Sequence, residues 1–207
     1  MKNFVLLLIF VSITTSAQMS DAVKHIQKQW AIANYQTDED DQEQAFENLA
    51  KSATQLVLNN PDDAYALVWE GIVYSTYAGV ISKLKAGKKA KHAKSSFEKA
   101  MKIDGTVMNG SAYTSIGVLY FKVPGWPLSF GSDKKAMKYL KKGIKLNPDG
   151  IDSNYFYAEF LYEEEGEDEL AIEHLIKAQN ASPRPSRPLA DEGRQKEITA
   201  LLKEIKD

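Results

Sequence analysis

The segment Leu140-Lys-Lys-Gly-Ile-Lys-Leu-Asn-Pro148 decides the fold, because its pattern recurs along the chain. In this segment an apolar residue is followed three positions later by a small one, then by polar residues and a proline. The pattern is typical of the last turns of an amphipathic helix, which proline ends because it lacks the N–H and clashes with the preceding turn. Similar segments are Ala53-Thr-Gln-Leu-Val-Leu-Asn-Asn-Pro61, Phe97-Glu-Lys-Ala-Met-Lys-Ile-Asp-Gly105 and Leu175-Ile-Lys-Ala-Gln-Asn-Ala-Ser-Pro183.

Three of these helices place a small residue, a large apolar residue, a second small residue and a proline or glycine in the same order. The sets are Ala93, Phe97, Ala100 and Gly105; Ala136, Leu140, Gly143 and Pro148; and Ala171, Leu175, Ala178 and Pro183. The preceding helices carry a small residue and a large one three apart, at Gly71 and Tyr74, Gly117 and Tyr120, and Ala158 and Leu161. Together these patterns resemble the two helices of a tetratricopeptide repeat (TPR).

The resemblance covers roughly residues 55–185 and implies an all-α fold, an antiparallel helix-pair (TPR-like) solenoid with a C-terminal capping helix. We predict helices over residues 20–36, 40–59, 62–84, 88–103, 108–122, 133–146, 152–165, 167–181 and 189–205. The predicted organisation is a signal peptide at 1–17, an N-terminal helix pair at 18–60, TPR-like repeats at 61–185 and the capping helix at 186–207.

The spacing of the repeats departs from the family. Pro61 and Gly105 lie 44 residues apart, Gly105 and Pro148 lie 43 apart, and Pro148 and Pro183 lie 35 apart, against a family period of about 34. We expect the extra residues to form inserts between paired helices, at 81–91 and 122–132. Gly105 is expected to end its helix in a left-handed conformation.

The N-terminus has the three-part layout of a secretory signal peptide. Lys2 supplies a positive charge, an apolar run covers 4–13 and is broken only by Ser12, and Thr15 and Ala17 are small residues before Gln18. The run is shorter than the roughly 20 apolar residues that span a bilayer. We therefore predict export, to a bacterial periplasm or as a secreted protein, with cleavage after Ala17 and no stable membrane insertion afterwards. The alternative is a retained N-terminal anchor.

Composition excludes several classes of function. The chain of 207 residues has no cysteine, which excludes disulfides, thiolate metal sites and cysteine nucleophiles. Its formal net charge of −2 does not indicate a broad basic surface for nucleic acid or a wide cationic face for membranes. No nucleic-acid partner is predicted.

Patterns of catalytic, metal-binding and phosphate-binding residues are missing from the sequence. The three histidines are widely separated, and no glycine-rich phosphate loop or nucleophile elbow occurs. We predict no enzyme activity, no metal and no cofactor. The acidic runs at 38–41 and 163–169 are interpreted as carboxylates at helix N-termini. The basic run at 83–94 is interpreted as a solvated helix face, with anionic lipid or an acidic partner as the alternative.

The segment Val123-Pro-Gly-Trp-Pro-Leu-Ser-Phe-Gly131 is rich in both proline and glycine, and it carries the aromatic residues Trp126 and Phe130. Prolines restrict φ and aromatic rings offer a large apolar area, so we expect an ordered loop across the repeat. Two interpretations stay open. The loop grips a ligand, or it is a packed plug in which Trp126 fills a gap that the insertion creates.

The family resemblance implies that the first helices of successive pairs line a concave binding groove. Carried onto this sequence, the groove residues are Tyr65, Val68, Ile72, Thr114, Val118, Phe121, Lys122, Tyr155, Glu159 and Tyr162, with Asp152 beside them. Some of these residues, namely Val68, Ile72 and Phe121, are equally compatible with core positions. The tyrosines favour recognition, because they offer apolar area and a hydroxyl at low entropic cost.

These observations favour an extracytoplasmic TPR-type scaffold for protein–protein interaction that recognises a peptide or protein partner in its groove. The alternative is a transport accessory similar to the T-component of tripartite (TRAP-type) transporters, which pairs with a solute-binding protein. The identity of the partner and the oligomeric state do not follow from the sequence.

Overall fold

The computed structural model describes residues 18–207, so the predicted signal peptide lies outside the described part of the chain. Helices dominate this part, and its only β-type pairing is an isolated bridge between Gly125 and Gly131. The helices are α1 (Asp21–Tyr35), α2 (Glu39–Asn59), α3 (Ala64–Val80), α4 (Lys83–Asp104), α5 (Val107–Lys122), α6 (Asp133–Leu146), α7 (Ile151–Phe160), α8 (Asp168–Gln179) and α9 (Pro188–Lys206). A π-helical turn, Leu161–Glu165, extends α7.

Each helix packs mainly against its neighbours in the sequence, so that α1 to α8 form four consecutive pairs. The first helices of the pairs also contact one another, α1 with α3, α3 with α5 and α5 with α7. This arrangement confirms the predicted all-α helix-pair solenoid. We call the side formed by α1, α3, α5 and α7 the inner face.

The repeated apolar positions form the core between paired helices. Phe97 and Leu175 are fully buried and Leu140 is 1% exposed. The small residues are needed for the close approach of the helices, since a Cβ atom on Gly71 would lie 2.4 Å from the Phe97 ring. Burying each large side chain contributes about 1.5–3 kcal/mol, so this repeated contact is a main source of stability.

The structure corrects two expectations about the repeat spacing. The predicted insert at 81–91 is mostly helix, because α4 begins at Lys83, directly after the extended N-cap residue Ser82. Lysine and alanine dominate this stretch and are good helix formers, which outweighs the cost of Gly87. The insert at 122–132 does form a loop.

Gly105 is not left-handed, since its φ is −72° and its ψ is −7°. The left-handed residues come later, at Met108, Asn109 and Gly110, with φ of 51°, 54° and 76°. They form a turn at the start of α5, so regular helical backbone begins after Gly110. Gly105 instead allows close packing, because a Cβ there would lie 2.8 Å from the Tyr113 hydroxyl.

Candidate binding site on the inner face

The inner face forms a partly open cavity of about 100 Å³ between the first helices and α9. Every first helix of the array and the α9 segment contribute side chains to this cavity, so it is shared by all four pairs. Its lining residues are Trp30, Ile72, Ser75, Thr76, Ser111, Thr114, Ser115, Val118, Asp152, Phe156, Arg187 and Arg194.

The cavity wall combines hydroxyl groups with apolar surface. Its hydroxyl groups come from Ser75 and Thr76 on α3 and from Ser111 and Ser115 on α5. The Trp30 indole N–H donates to the Thr76 hydroxyl at 2.9 Å, which orients both side chains. A wall of this kind suits a small group that is partly polar, because hydroxyls can both donate and accept hydrogen bonds.

Helix α9 lies across the inner face and joins the two ends of the array. Its first part contributes Ala190 to the core cluster of α1, α2 and α3. Its second part contributes Ile198, Leu201 and Leu202 to the cluster of the later pairs. Helix α9 therefore does more than the predicted capping helix would do, because it covers the last pair and also contacts the first.

The contact between α9 and α1 requires a glycine. A Cβ atom on Gly193 would lie 2.4 Å from the Tyr35 ring, so α9 approaches α1 more closely than any other residue type would allow. Burial raises the pKa of the Tyr35 hydroxyl to about 12, although the nearby Arg194 opposes this rise.

Asp152 on α7 is the centre of an ionic cluster that holds the C-terminal segment. Its carboxylate accepts hydrogen bonds from Arg184 Nη1 at 2.5 Å and from Arg194 Nε at 3.0 Å. Arg187 Nη1 lies 3.6 Å from the same carboxylate. Burial would raise the pKa of Asp152, but Arg194, Arg184 and Arg187 outweigh it and hold the pKa well below its usual range.

Two further carboxylates complete this cluster. Asp191 accepts from the Arg184 backbone N–H at 2.6 Å and from Arg184 Nε at 2.7 Å, and Glu197 accepts from Arg194. Three arginines and three carboxylates thus neutralise one another. Arginine suits this position because its planar guanidinium donates several hydrogen bonds at once.

The arginines also stack on aromatic rings of the inner face. The guanidinium carbon of Arg194 lies 4.4 Å from the Tyr155 ring centroid and 4.3 Å from that of Phe156. Arg187 lies 5.2 Å from the Trp69 ring. A stacked guanidinium covers the faces of these rings, so α9 occupies part of the surface that the family resemblance assigns to a ligand.

The predicted groove residues occupy three different environments. Ile72, Thr114 and Val118 line the cavity together with Asp152. Val68 is fully buried and Phe121 is 8% exposed, so both are core residues. Tyr155 is buried beneath Arg194. Tyr65 and Tyr162 are half-buried against the core. Lys122 and Glu159 form an ion pair of 3.3 Å at the end of α5.

The loop at 123–131 differs from the packed-plug interpretation. Trp126 is 89% exposed and fills no gap. Phe130 is the packed residue, with its ring centroid 5.7 Å from that of Tyr120 in an edge-to-face contact. The first proline of the loop, Pro124, and the residues around it line a separate shallow depression and do not reach the inner-face cavity.

Sequence reasoning missed the contribution of α9 to the site. All three arginines of the chain lie within 184–194, whereas the other cationic side chains are lysines. A local change from lysine to arginine indicates buried or stacked ion pairs. This signal could have placed Arg187 and Arg194 at the site, although it could not have identified Trp30 as their neighbour.

A second buried polar cluster lies where α2, α3 and α4 meet. The Glu70 carboxylate accepts from Ser96 Oγ at 2.7 Å and from Thr54 Oγ1 at 3.0 Å, and it lies 3.0 Å from His92 Nε2. A nucleophilic triad places the histidine between the serine and the acid. Here the carboxylate lies between them, which is the geometry of a structural ion pair.

Within residues 18–207 no group of three or more histidine or acidic side chains is placed to hold a metal ion. In the same residues no helix has the length and hydropathy needed to cross a bilayer.

Known proteins resemble this chain in fold and not in sequence. No protein-family model matches the chain, and no curated protein sequence matches it. The solved TPR protein TTC0263 from Thermus thermophilus superposes with a TM-score of 0.56 at 14% identity, over 87% of this chain and 98% of that one. A structure of MamA gives a TM-score of 0.47 at 20% identity, over 78% of this chain and 86% of that one. The likeness to TTC0263 shows that this chain has the fold of a TPR protein.

Proposed function

We propose that the protein is an extracytoplasmic scaffold that binds a peptide or protein partner on its inner face. The observation that carries this proposal is the cavity to which all four first helices and α9 contribute. Its volume of about 100 Å³ suits one anchoring side chain and not a whole peptide. The partner therefore inserts one group and contacts the half-buried rim with the rest.

The rim offers the contacts that such an anchor needs. Ile72, Val118 and Phe156 supply apolar area, and the serine hydroxyls supply hydrogen bonds. Arg184 and Arg194 are hydrogen-bonded to carboxylates and Arg187 lies 3.6 Å from Asp152, so the site has no large excess of either charge. We expect an anchor that is small and uncharged, because a charged group would compete with the existing ion pairs.

Export is part of this proposal and rests on the N-terminal sequence alone. A fusion of residues 1–25 to a reporter that is active only outside the cytoplasm tests it. We expect activity outside the cytoplasm, and its loss when two apolar residues of the 4–13 run are replaced by aspartate. A reporter confined to the cytoplasm in both cases would contradict export.

The transport-accessory alternative differs only in the partner, which would be a solute-binding protein. Nothing in the described residues is specific to that partner, so the general scaffold is the function that we propose. Adjacent genes for a permease and a solute-binding protein would favour the alternative.

Filling the cavity tests the binding site directly. Ser115→Phe places a ring in the cavity without removing a core contact, whereas Ser95→Phe adds the same ring at an exposed position of α4. We expect affinity capture from an extracytoplasmic extract to recover a partner with the wild type and with Ser95→Phe, and to lose it with Ser115→Phe. Recovery of the same partner by all three proteins would contradict the site.

A further inference from the structure

The nearly neutral net charge of the chain hides a strong separation of charge. Residues 83–146 contain 15 lysines and only 3 acidic residues. Residues 18–82 contain 3 lysines and 10 acidic residues, and residues 147–207 contain 7 basic and 15 acidic residues. Helices α4, α5 and α6 therefore carry a large positive charge between two negative ends of the chain.

Ion pairs place the turns of the first two pairs together and those of the last two pairs together, and Lys94 of α4 over the Phe130 ring at 5.9 Å links the middle two pairs. Lys85, at the start of α4, lies 3.3 Å from Glu43 near the start of α2. Lys122, at the end of α5, lies 2.9 Å from Glu163 at the end of α7. We call the α3–α4 turn and the α5–α6 loop together the basic edge, residues 81–88 and 122–135.

The basic edge carries the most exposed large hydrophobic side chains among residues 18–207. Leu84 is 99% exposed, Trp126 is 89% exposed and Leu128 is 84% exposed. Lys83 and Lys85 flank Leu84, and Lys134 and Lys135 follow the loop at the start of α6; all four lysines are exposed. The basic edge therefore combines exposed apolar side chains with exposed cationic ones.

The loop that presents Trp126 and Leu128 is anchored to the fold. The Gly131 N–H donates to the Pro124 carbonyl at 3.0 Å, and the Ser132 N–H donates to the Tyr120 carbonyl at 2.9 Å. Phe130 packs on Tyr120, so the base of the loop is fixed while its tip projects.

The aromatic contacts of Phe130 continue along α5 and α6 and are bordered by lysines. Tyr120 stacks on Tyr139 with a centroid distance of 5.6 Å, and Tyr139 stacks on Tyr113 at 6.3 Å. Lys94, Lys135 and Lys142 lie over the rings of Phe130, Tyr120 and Tyr113, at 5.9, 5.0 and 5.6 Å. The positive surface therefore continues from the basic edge onto the helices behind it.

We propose that the basic edge binds the surface of an anionic lipid bilayer. Trp126, Leu128 and Leu84 enter the interfacial layer, and the adjoining lysines face the lipid headgroups. A bilayer fits better than an acidic protein, because the apolar side chains project singly from turns and line no groove. Tryptophan prefers the membrane interface, and lysines near an anionic leaflet are attracted to it.

The acidic turns limit the area of contact. Residues 38–41 and 163–169 lie at the corresponding turns of the first and last pairs, and an anionic surface repels them. Only the two middle turns can approach the bilayer closely. Binding is therefore peripheral and reversible, and it weakens when salt screens the lysines.

Vesicle sedimentation tests the proposal on the chain from Gln18 to Asp207, which contains all the described packing and lacks the apolar N-terminus. We expect the protein to sediment with vesicles of mixed phosphatidylglycerol and phosphatidylcholine. On phosphatidylcholine alone, or in about 0.5 M salt, we expect binding to fall by about tenfold or more.

Two variants and one matched control locate the surface. The first variant combines Trp126→Ala with Leu128→Ala, and the second combines Lys134→Glu with Lys135→Glu. Each double variant should reduce vesicle binding by about tenfold. Lys196→Glu with Lys203→Glu changes the net charge equally on exposed positions of α9 and should leave binding unchanged. Equal loss in the control, or no sedimentation of the wild type with anionic vesicles, would overturn the proposal.

Tryptophan fluorescence gives an independent signal. Trp30 is 7% exposed and Trp69 is fully buried, so Trp126 is the only tryptophan among residues 18–207 that can move from water into lipid. We expect a blue shift with anionic vesicles that disappears in Trp126→Phe. An unchanged spectrum in the wild type, or capture of an acidic protein through these residues without any lipid binding, would also overturn the proposal.

Discussion

At the scale of single residues, Asp152 has the largest structural role. It compensates three arginines that attach the C-terminal segment to α7, and it is itself only partly exposed. Replacing Asp152 by asparagine would leave the three arginines without the carboxylate that they share. Breaking a buried ion pair by removing one charge costs several kcal/mol.

We predict that Asp152→Asn lowers the free energy of unfolding by about 3 kcal/mol. Asp149→Asn is the control, because Asp149 is exposed in the turn just before α7 and has no ion pair among the described residues. Urea unfolding of the two variants measures the difference. Equal stability of Asp152→Asn and the wild type would show that the arginines do not depend on this carboxylate.

Two buried glutamates should respond to pH with opposite sign. Burial opposes ionisation of Glu70, but hydrogen bonds from His92, Ser96 and Thr54 outweigh it and lower its pKa. The stabilising contribution of Glu70 is therefore present above its unfolded pKa of about 4.5 and is lost as the pH falls through the lower folded pKa.

Burial raises the pKa of Glu159, and Lys122 offsets only part of this rise. Its stabilising contribution is therefore present below about pH 4.5 and is lost as the pH rises through the folded value.

We predict that Glu70→Gln destabilises the protein at neutral pH and flattens the loss of stability in acid, whereas Glu159→Gln is neutral or stabilising at neutral pH. Urea unfolding across the range from acid to neutral pH measures both effects. A loss at neutral pH that is the same for both variants would contradict the assigned pKa directions.

At the scale of elements, the paired helices depend on the small residues at their crossing points. Gly71 and Gly79 both lie in α3, yet only Gly71 faces a neighbouring ring. A Cβ at Gly79 would meet nothing within 4 Å. The two glycines therefore form a matched pair for testing close packing.

We predict that Gly71→Ala lowers the free energy of unfolding by about 1–3 kcal/mol, because the added methyl group forces Phe97 away. Gly79→Ala should raise it by about 0.5–1 kcal/mol, since alanine is the better helix former. Thermal unfolding of both variants checks the signs. Stabilisation by both substitutions would mean that α3 and α4 do not cross at Gly71.

The helices could be predicted from the sequence because their signals are local. Apolar spacing and the stops at Pro61, Pro148 and Pro183 place the ends of α2, α6 and α8 within a few residues. The predicted start of α4 is wrong because Gly87 looks like a break in the sequence, while in the helix nothing lies near it. The prediction for Gly105 is wrong because a glycine near a helix end serves close packing as readily as a left-handed turn.

At the scale of the whole molecule, α9 turns a linear stack into a closed arrangement. Its first half belongs to the core cluster of α1 to α3 and its second half to the cluster that extends from α3 to α9, so α9 contacts α1 as well as α7 and α8. Sequence periodicity predicts a capping helix but not this connection, because the contact between Gly193 and Tyr35 joins residues far apart in the chain. For the same reason the candidate site could be predicted only in part: Ile72, Thr114 and Val118 follow from helical spacing, whereas Arg187 and Arg194 depend on the path of α9.

The distance between α1 and α9 tests the closed arrangement most directly. The chain has no cysteine, so Lys28→Cys and Lys196→Cys, both at exposed positions, would be its only thiols and could carry spin labels. We predict one narrow distribution of short distances, which broadens when Asp152→Asn weakens the attachment of α9. A broad distribution of long distances in the otherwise wild-type chain would contradict the claim that α9 joins the two ends of the array.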